Sequence, residues 1–286
     1  MKKTALFVVL LCFQFSFSQK LLVSWSQQNI ENYTEDMYNE AQKLSPEQLL
    51  EKNKNAAYWS EVFLTMNASV NNYENDKEYL KNLARQITDT KETKIKGTSR
   101  LIIWDRIVSG DIIFEGKGLV VENDLFLING RANQVLQSVT RKNFGFVTSS
   151  STKKELESLR EKWLDYLNGK PVEEFKPAEF KNAKIAEISG LNAVHALIIS
   201  LQDNSVKEQI TKKCLKQIYN LDELPTSKES PAKFCSPDTY TYAYLAMLFG
   251  DKTRDETKTA KWWLNFWNEN QKKLSWNNEG FYEVKK

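Results

Sequence analysis

The chain is poor in several residue types that particular functions require. It has one His, three Cys, six Pro and ten Gly in 286 residues. A single imidazole and so few thiols leave no ligand set for a His- or Cys-rich metal centre, so no metal is expected. The low Gly and Pro counts exclude collagen-like and Pro-rich low-complexity classes. Neither sign of charge is in excess: 40 Lys and Arg face 37 Asp and Glu, a formal +3. That balance gives no electrostatic case for a nucleic acid partner. No run reaches the ~18 apolar residues of a membrane-spanning helix, so no transmembrane anchor is expected. What the chain does have is globular: 41% apolar and 27% charged residues, with 8 Trp, 11 Tyr and 15 Phe.

Residues 1–18 have the form of a secretory signal peptide. Lys2 and Lys3 supply the charged start, Ala5 to Phe15 the apolar stretch, and Ser16 and Ser18 the small residues before a cut at Gln19. Cys12 is a poor lipoprotein acceptor, because Leu11 precedes it where a small residue is needed. Cleavage leaves 268 residues and, without Lys2 and Lys3, a formal charge of +1. The expected location is periplasmic or secreted. Cys214 and Cys235 remain, an even pair in an oxidising compartment, and either a disulfide or two buried thiols fits them. A bond would close a 22-residue ring holding Pro225, Ser227 and Pro231, worth ~3 kcal/mol by chain entropy.

The patterning predicts an α+β protein, mostly helical, with a small antiparallel sheet in the central 94–148 segment. Before it, Ser45-Pro46-Glu47-Gln48 is a capping box. Leu49, Asn53, Ala56, Trp59, Phe63 and Met66 follow at three- and four-residue steps, and Tyr79, Leu80, Leu83 and Ile87 make a second stripe. The central segment holds six of the ten glycines, and its β-rich runs are 101–104, 112–114, 119–121, 125–128 and 144–147. After it, Thr152 and Glu155 form another capping box, and helices are expected near 190–202, 205–219, 237–249 and 254–274. The boundaries predicted are 1–18 signal peptide, 19–148 helices plus sheet, and 149–286 helical region, with the Thr148–Ser151 run as linker; one continuous domain is also open.

The segment 100–118 is the richest in chemistry. Ser109-Gly110 gives a hairpin turn signal. Pairing Val108 with Asp111 places Ile102, Trp104, Arg106, Val108, Asp111, Ile113, Glu115 and Lys117 on one face. The other face carries Leu101, Ile103, Asp105, Ile107, Ile112 and Phe114 and is the expected core. A Trp beside Arg106, with Asp111 and Glu115 within reach, suits peptide or sugar recognition; the plainer reading is a solvated face with weak ion pairs. Asp105, alone on the apolar face, must find donors or hold a proton. Gly116-Lys117-Gly118 lacks the third Gly of a phosphate loop, since Val121 stands there, and tight strand packing explains it better.

His195 lies in 191–201, apolar almost all round, and is expected to be a buried, non-catalytic residue. The run Lys261-Trp-Trp-Leu-Asn-Phe-Trp267 gives a helix with Ala260, Trp263, Leu264, Trp267 and Leu274 on one side. Trp262 and Phe266 lie roughly 140° and 100° away. Either the helix is sandwiched, or Trp262 and Phe266 form an exposed patch.

With metal, nucleotide and catalytic-triad patterns all lacking, the reading is a non-enzymatic exported binding or interaction protein of the cell envelope, needing no cofactor. Its partner would be a protein or an envelope glycan, met by Trp104, Arg106, Glu115 and Lys117 or by Trp262 and Phe266. The alternative is a glycan hydrolase with paired carboxylates drawn from Asp105, Asp111 and Glu115; a purely structural envelope protein is a third class.

Overall fold

A computed structural model describes residues 33–93, 95, 100–116, 118–176, 190–202, 204–221, 235–277 and 279–285. The signal sequence 1–18 with Cys12, and Gly97, Lys117, Pro225, Ser227 and Pro231, lie outside the described residues.

In chain order the elements are α1 (Glu35–Ala41), α2 (Pro46–Asn55), α3 (Trp59–Asn72), α4 (Lys77–Gln86), β1 (Leu101–Ile102), α5 (Trp104–Ser109), β2 (Leu119–Val120), α6 (Ile128–Thr140) and α7 (Lys153–Leu167). They continue with α8 (Leu191–Ser200), α9 (Asn204–Cys214), a π-helical turn (Leu215–Tyr219), α10 (Pro237–Leu248), α11 (Ala260–Asn270), β3 (Leu274–Trp276) and β4 (Tyr282–Val284). The protein is predominantly helical with few strands. It divides into two compact units, Met1–Ser99 with Val121–Lys176 and Arg100–Val120 with Pro177–Lys286. The Thr148–Ser151 run lies inside the first unit.

In the first unit, both capping boxes form, at Ser45 before α2 and at Thr152 before α7. Leu49, Asn53, Ala56, Trp59, Phe63 and Met66 are all buried, but Leu49 and Asn53 lie on α2, Ala56 caps its C-terminus, and the other three lie on α3. The break at 56–58 carries no Gly or Pro; Glu61 stabilises it by accepting the Ala57 N–H at 2.8 Å. Asp76 caps α4, which buries Tyr79, Leu80 and Leu83, with Ile87 at its end. Helix α6 packs against α2, α3 and α4, and α7 lies on α4.

The core of this unit is unusually polar. Asn123, Asp124, Asn129, Arg131 and Asn133 are all essentially inaccessible. Asn123 donates to Gln134 and Gln137 at 3.0 and 2.8 Å, and its oxygen accepts from Asn133 at 2.7 Å and from the Val147 N–H at 3.0 Å. Asn133 also donates to the Gly145 carbonyl and accepts the Trp163 indole N–H at 2.8 Å. Arg131 donates to the Leu125 and Asn53 carbonyls and to Thr93. Burial pushes its guanidinium down to about 10 while Asp124 and Glu61 oppose the shift, so it stays charged at neutral pH. These amides supply the donors and acceptors that 123–127 and 143–147, as buried non-regular backbone, need.

In the second unit, α8 is buried on nearly all sides and packs against α5, α10 and α11. Strands β1 and β2 pair in parallel, Leu101 with Leu119 and Ile102 with Val120. The antiparallel pair is β3 with β4, Trp276 opposite Tyr282. The helical class therefore holds, but among the described residues the antiparallel strand pair is at the C-terminal end, and the pair inside 94–148 is parallel. The reason is local. Gly110, at φ +83°, closes the C-terminus of α5, so the Ser109-Gly110 signal is a helix stop and no hairpin forms. The run 125–128 leads into α6, and 144–147 is irregular chain. Gly118 is a tight strand approach: a Cβ there would sit 2.3 Å from the Arg100 carbonyl oxygen.

Candidate functional site

The loss of the hairpin redistributes the residues assigned to its faces. Trp104, Arg106 and Ile107 are buried, whereas Asp105 is half-exposed. For 104–106 this reverses the expected alternation, while Ile107 is buried as expected, on the same helix face as Trp104. The strand face joining Trp104, Arg106 and Glu115 is therefore not formed, and Lys117, the fourth residue assigned to it, lies outside the described residues. The Arg106–Asp111 ion pair does exist, 3.0 Å from Nη1 to Oδ2, as a bond across the end of α5. Ser109 Oγ also donates to Asp111, at 2.8 Å. Hydrogen bonds from Ser109 and Arg106 hold the Asp111 carboxyl below the usual carboxylate range. Its contribution is present while it is ionised and is lost as the pH falls through that lowered value.

Asp105 accepts a bond from Asn192 Nδ2 at 3.1 Å, and Glu115 is exposed. Asp105 and Asp111 thus have separate partners, and those of Asp111 favour its ionised form. Among the described residues, no group of three or more His, Cys, Asp or Glu is placed to hold a metal ion. None of their helices is long and apolar enough to cross a membrane.

Helix α9 and the start of α10 are tied twice. Cys214 and Cys235 form a disulfide with Cα atoms 5.5 Å apart. Lys207, buried along its length, places its ammonium 3.1 Å from Asp238 Oδ1, but the pair is not aligned as a hydrogen bond. A buried pair of this kind is weak evidence of stabilisation.

His195 is half-buried and lies parallel on the Trp267 ring, centroids 4.8 Å apart. Burial holds its imidazole below the usual range, so it is neutral at pH 7. Its place is that of a packing residue, less enclosed than the apolar belt around it predicts. The substitution His195→Gln is expected to cost about 1 kcal/mol through the lost stack. Thermal melts and partner binding check this; lost binding at unchanged stability would assign His195 a functional role.

The aromatic end of the second unit is the best-formed candidate site. As the stripe predicts, Trp263 and Trp267 are buried, at 2% and 6% exposure. Leu264 is only half-buried, and Leu274 lies beyond the helix, in β3. Trp262 is 38% exposed and stacks flat on half-buried Phe266, ring centroids 5.1 Å apart and planes 10° off parallel. Below them, Phe249 meets Phe266 edge-on at 5.3 Å and Trp263 at 5.2 Å, forming an aromatic floor. Lys258 Nζ lies 5.5 Å from the Trp262 ring centre and 2.6 Å from Asp251 Oδ2. Sequence reasoning missed Phe249, Asp251 and Lys258, because they lie outside the helix whose periodicity was read. The arrangement offers an outer aromatic pair for an apolar or sugar face and an adjacent ion pair as polar rim. The chain matches no protein-family model, no curated protein and no solved structure.

Proposed function

We propose that this is an exported, non-enzymatic binding protein of the cell envelope that docks a protein or glycan partner on the Trp262–Phe266 face. The carrying observation is the stacked pair itself, with Trp262 open to solvent while its neighbours Trp263 and Trp267 are buried. A large aromatic ring left exposed on an aromatic floor is the usual anatomy of a binding anchor. Export is supported by the signal-like residues 1–18 and by the Cys214–Cys235 bond.

The test compares the mature protein with a Trp262→Ala/Phe266→Ala variant for binding to purified peptidoglycan sacculi and to detergent-extracted envelope protein. Retention of the wild type by one fraction is expected. The double variant should fold and lose roughly 30-fold or more in affinity, since one anchor contributes about 2 kcal/mol. Equal retention of both proteins, or retention of neither, would reject the proposal.

A further inference from the structure

The first unit carries a groove of about 760 Å³ between the segment 144–152 and one face of α7. Phe144, Phe146, Leu156 and Leu159 give it an apolar floor, and Lys154, Ser158 and Lys162 line its helical side. We infer that this groove binds an extended, acidic peptide segment of a partner protein.

Charge is the first argument. Among the cations of α7, Lys153 pairs with Glu157 and Arg160 with Glu161. Glu155 is held by the cap, accepting from both the Thr152 N–H and its hydroxyl. Lys154 and Lys162, which line the groove and are exposed, have no ion-pair partner among the described residues. Glu155 also lines the groove and stays ionised, so its two lysines and one carboxylate leave a formal +1, carried by lysines that no ion pair engages.

Spacing is the second. Lys154 and Lys162 are eight residues apart on one helix, a rise of about 12 Å. An extended chain rises about 3.3 Å per residue, so acidic side chains at i and i+4 stand about 13 Å apart and point the same way. The axial repeats agree to about 1 Å, and the long lysine side chains have to span the roughly 80° between their positions around the helix.

The backbone of the opposite wall is the third. The Gly145 and Val147 groups are taken up inwardly. Asn133 and Gln137 donate to the Gly145 carbonyl, Asn123 accepts the Val147 N–H, and the Asp124 N–H donates to the Val147 carbonyl at 2.7 Å. The N–H and C=O of Phe146 have no hydrogen-bond partner among the described residues. A peptide backbone can meet them, as in recognition by strand addition. The ring of Phe146, held edge-on by Phe175 at 5.4 Å, offers the apolar contact between two charged side chains. Main-chain donor and acceptor together favour a peptide over an acidic glycan.

The test uses the mature protein and a fluorescein-labelled probe, Thr-Glu-Val-Thr-Val-Glu-Thr, read by fluorescence anisotropy. Binding that weakens with salt is expected. It should fall about fivefold for Lys154→Gln/Lys162→Gln and equally for the probe with Gln at both Glu positions. The charge-reversed variant Lys154→Glu/Lys162→Glu should recover binding to the probe with Lys in place of Glu. Trp262→Ala/Phe266→Ala should leave the affinity unchanged, which separates this site from the aromatic face. Absence of binding, indifference to the lysine substitutions at an unchanged melting temperature, or tighter binding of oligogalacturonate than of the probe would each overturn the inference.

Discussion

Replacing Gly130 by Ala is expected to destabilise the first unit by about 3 kcal/mol or more, as overpacking against fixed backbone does. Helix propensity alone predicts the opposite sign, because Gly inside a helix is about 1 kcal/mol worse than Ala. The conflict is resolved by what faces Gly130. An added Cβ would stand 1.9 Å from the Asp124 carbonyl oxygen and 2.7 Å from its carbon. That carbonyl cannot move cheaply. The Asp124 N–H is bonded to the Val147 carbonyl at 2.7 Å, and its side chain accepts the Phe126 N–H at 3.0 Å. Urea denaturation of Gly130→Ala against wild type decides the sign. An unchanged or raised midpoint would mean that 123–127 yields, and that the amide network is looser than its bonds imply.

That network was not legible in the sequence, and the reason is physical. Asn and Gly are residues of turns, Gln is read as a solvated helix position, and a periodicity search gives none of them to the core. Nothing in a one-dimensional pattern says that Asn123, Asn133 and Gln137 saturate one another and the backbone of 143–147 inside a core. Elements with local causes were legible. Ser45 with Gln48 and Thr152 with Glu155 start helices where their side chains predict, and the apolar stripes they precede are buried.

The segment 101–115 shows the limit of such local reasoning. Leu101, Ile103, Ile107, Ile112 and Phe114, assigned to the core, are all buried, but so are Ile102, Trp104 and Arg106 from the opposite face. The core residues were therefore legible only in part, and their secondary structure was not. A Gly at positive φ ends a helix as readily as it turns a hairpin. Tertiary packing of α5 against α8 settles the choice. The same override half-exposes Asp105 and buries Arg106, so of the two candidate faces only the aromatic end remains, where the 3.6-residue period of α11 separates Trp262 from Trp263.

Reducing the Cys214–Cys235 bond is expected to lower the stability of the second unit by about 3 kcal/mol, the chain-entropy value for its 22-residue ring. The melting temperature should fall by roughly 10 °C. Because the effect acts on the unfolded chain, the reduced protein should also show a larger urea dependence: its unfolded ensemble is less compact and exposes more surface. Cys214→Ser alone, at a half-buried position, should reproduce the loss without placing a hydroxyl at the more buried Cys235. The Lys207–Asp238 pair spans the same two helices. Identical urea midpoints with and without reductant would mean that the native packing alone defines this corner. The bond would then carry no folding role, and its support for an exported, oxidised state would go with it.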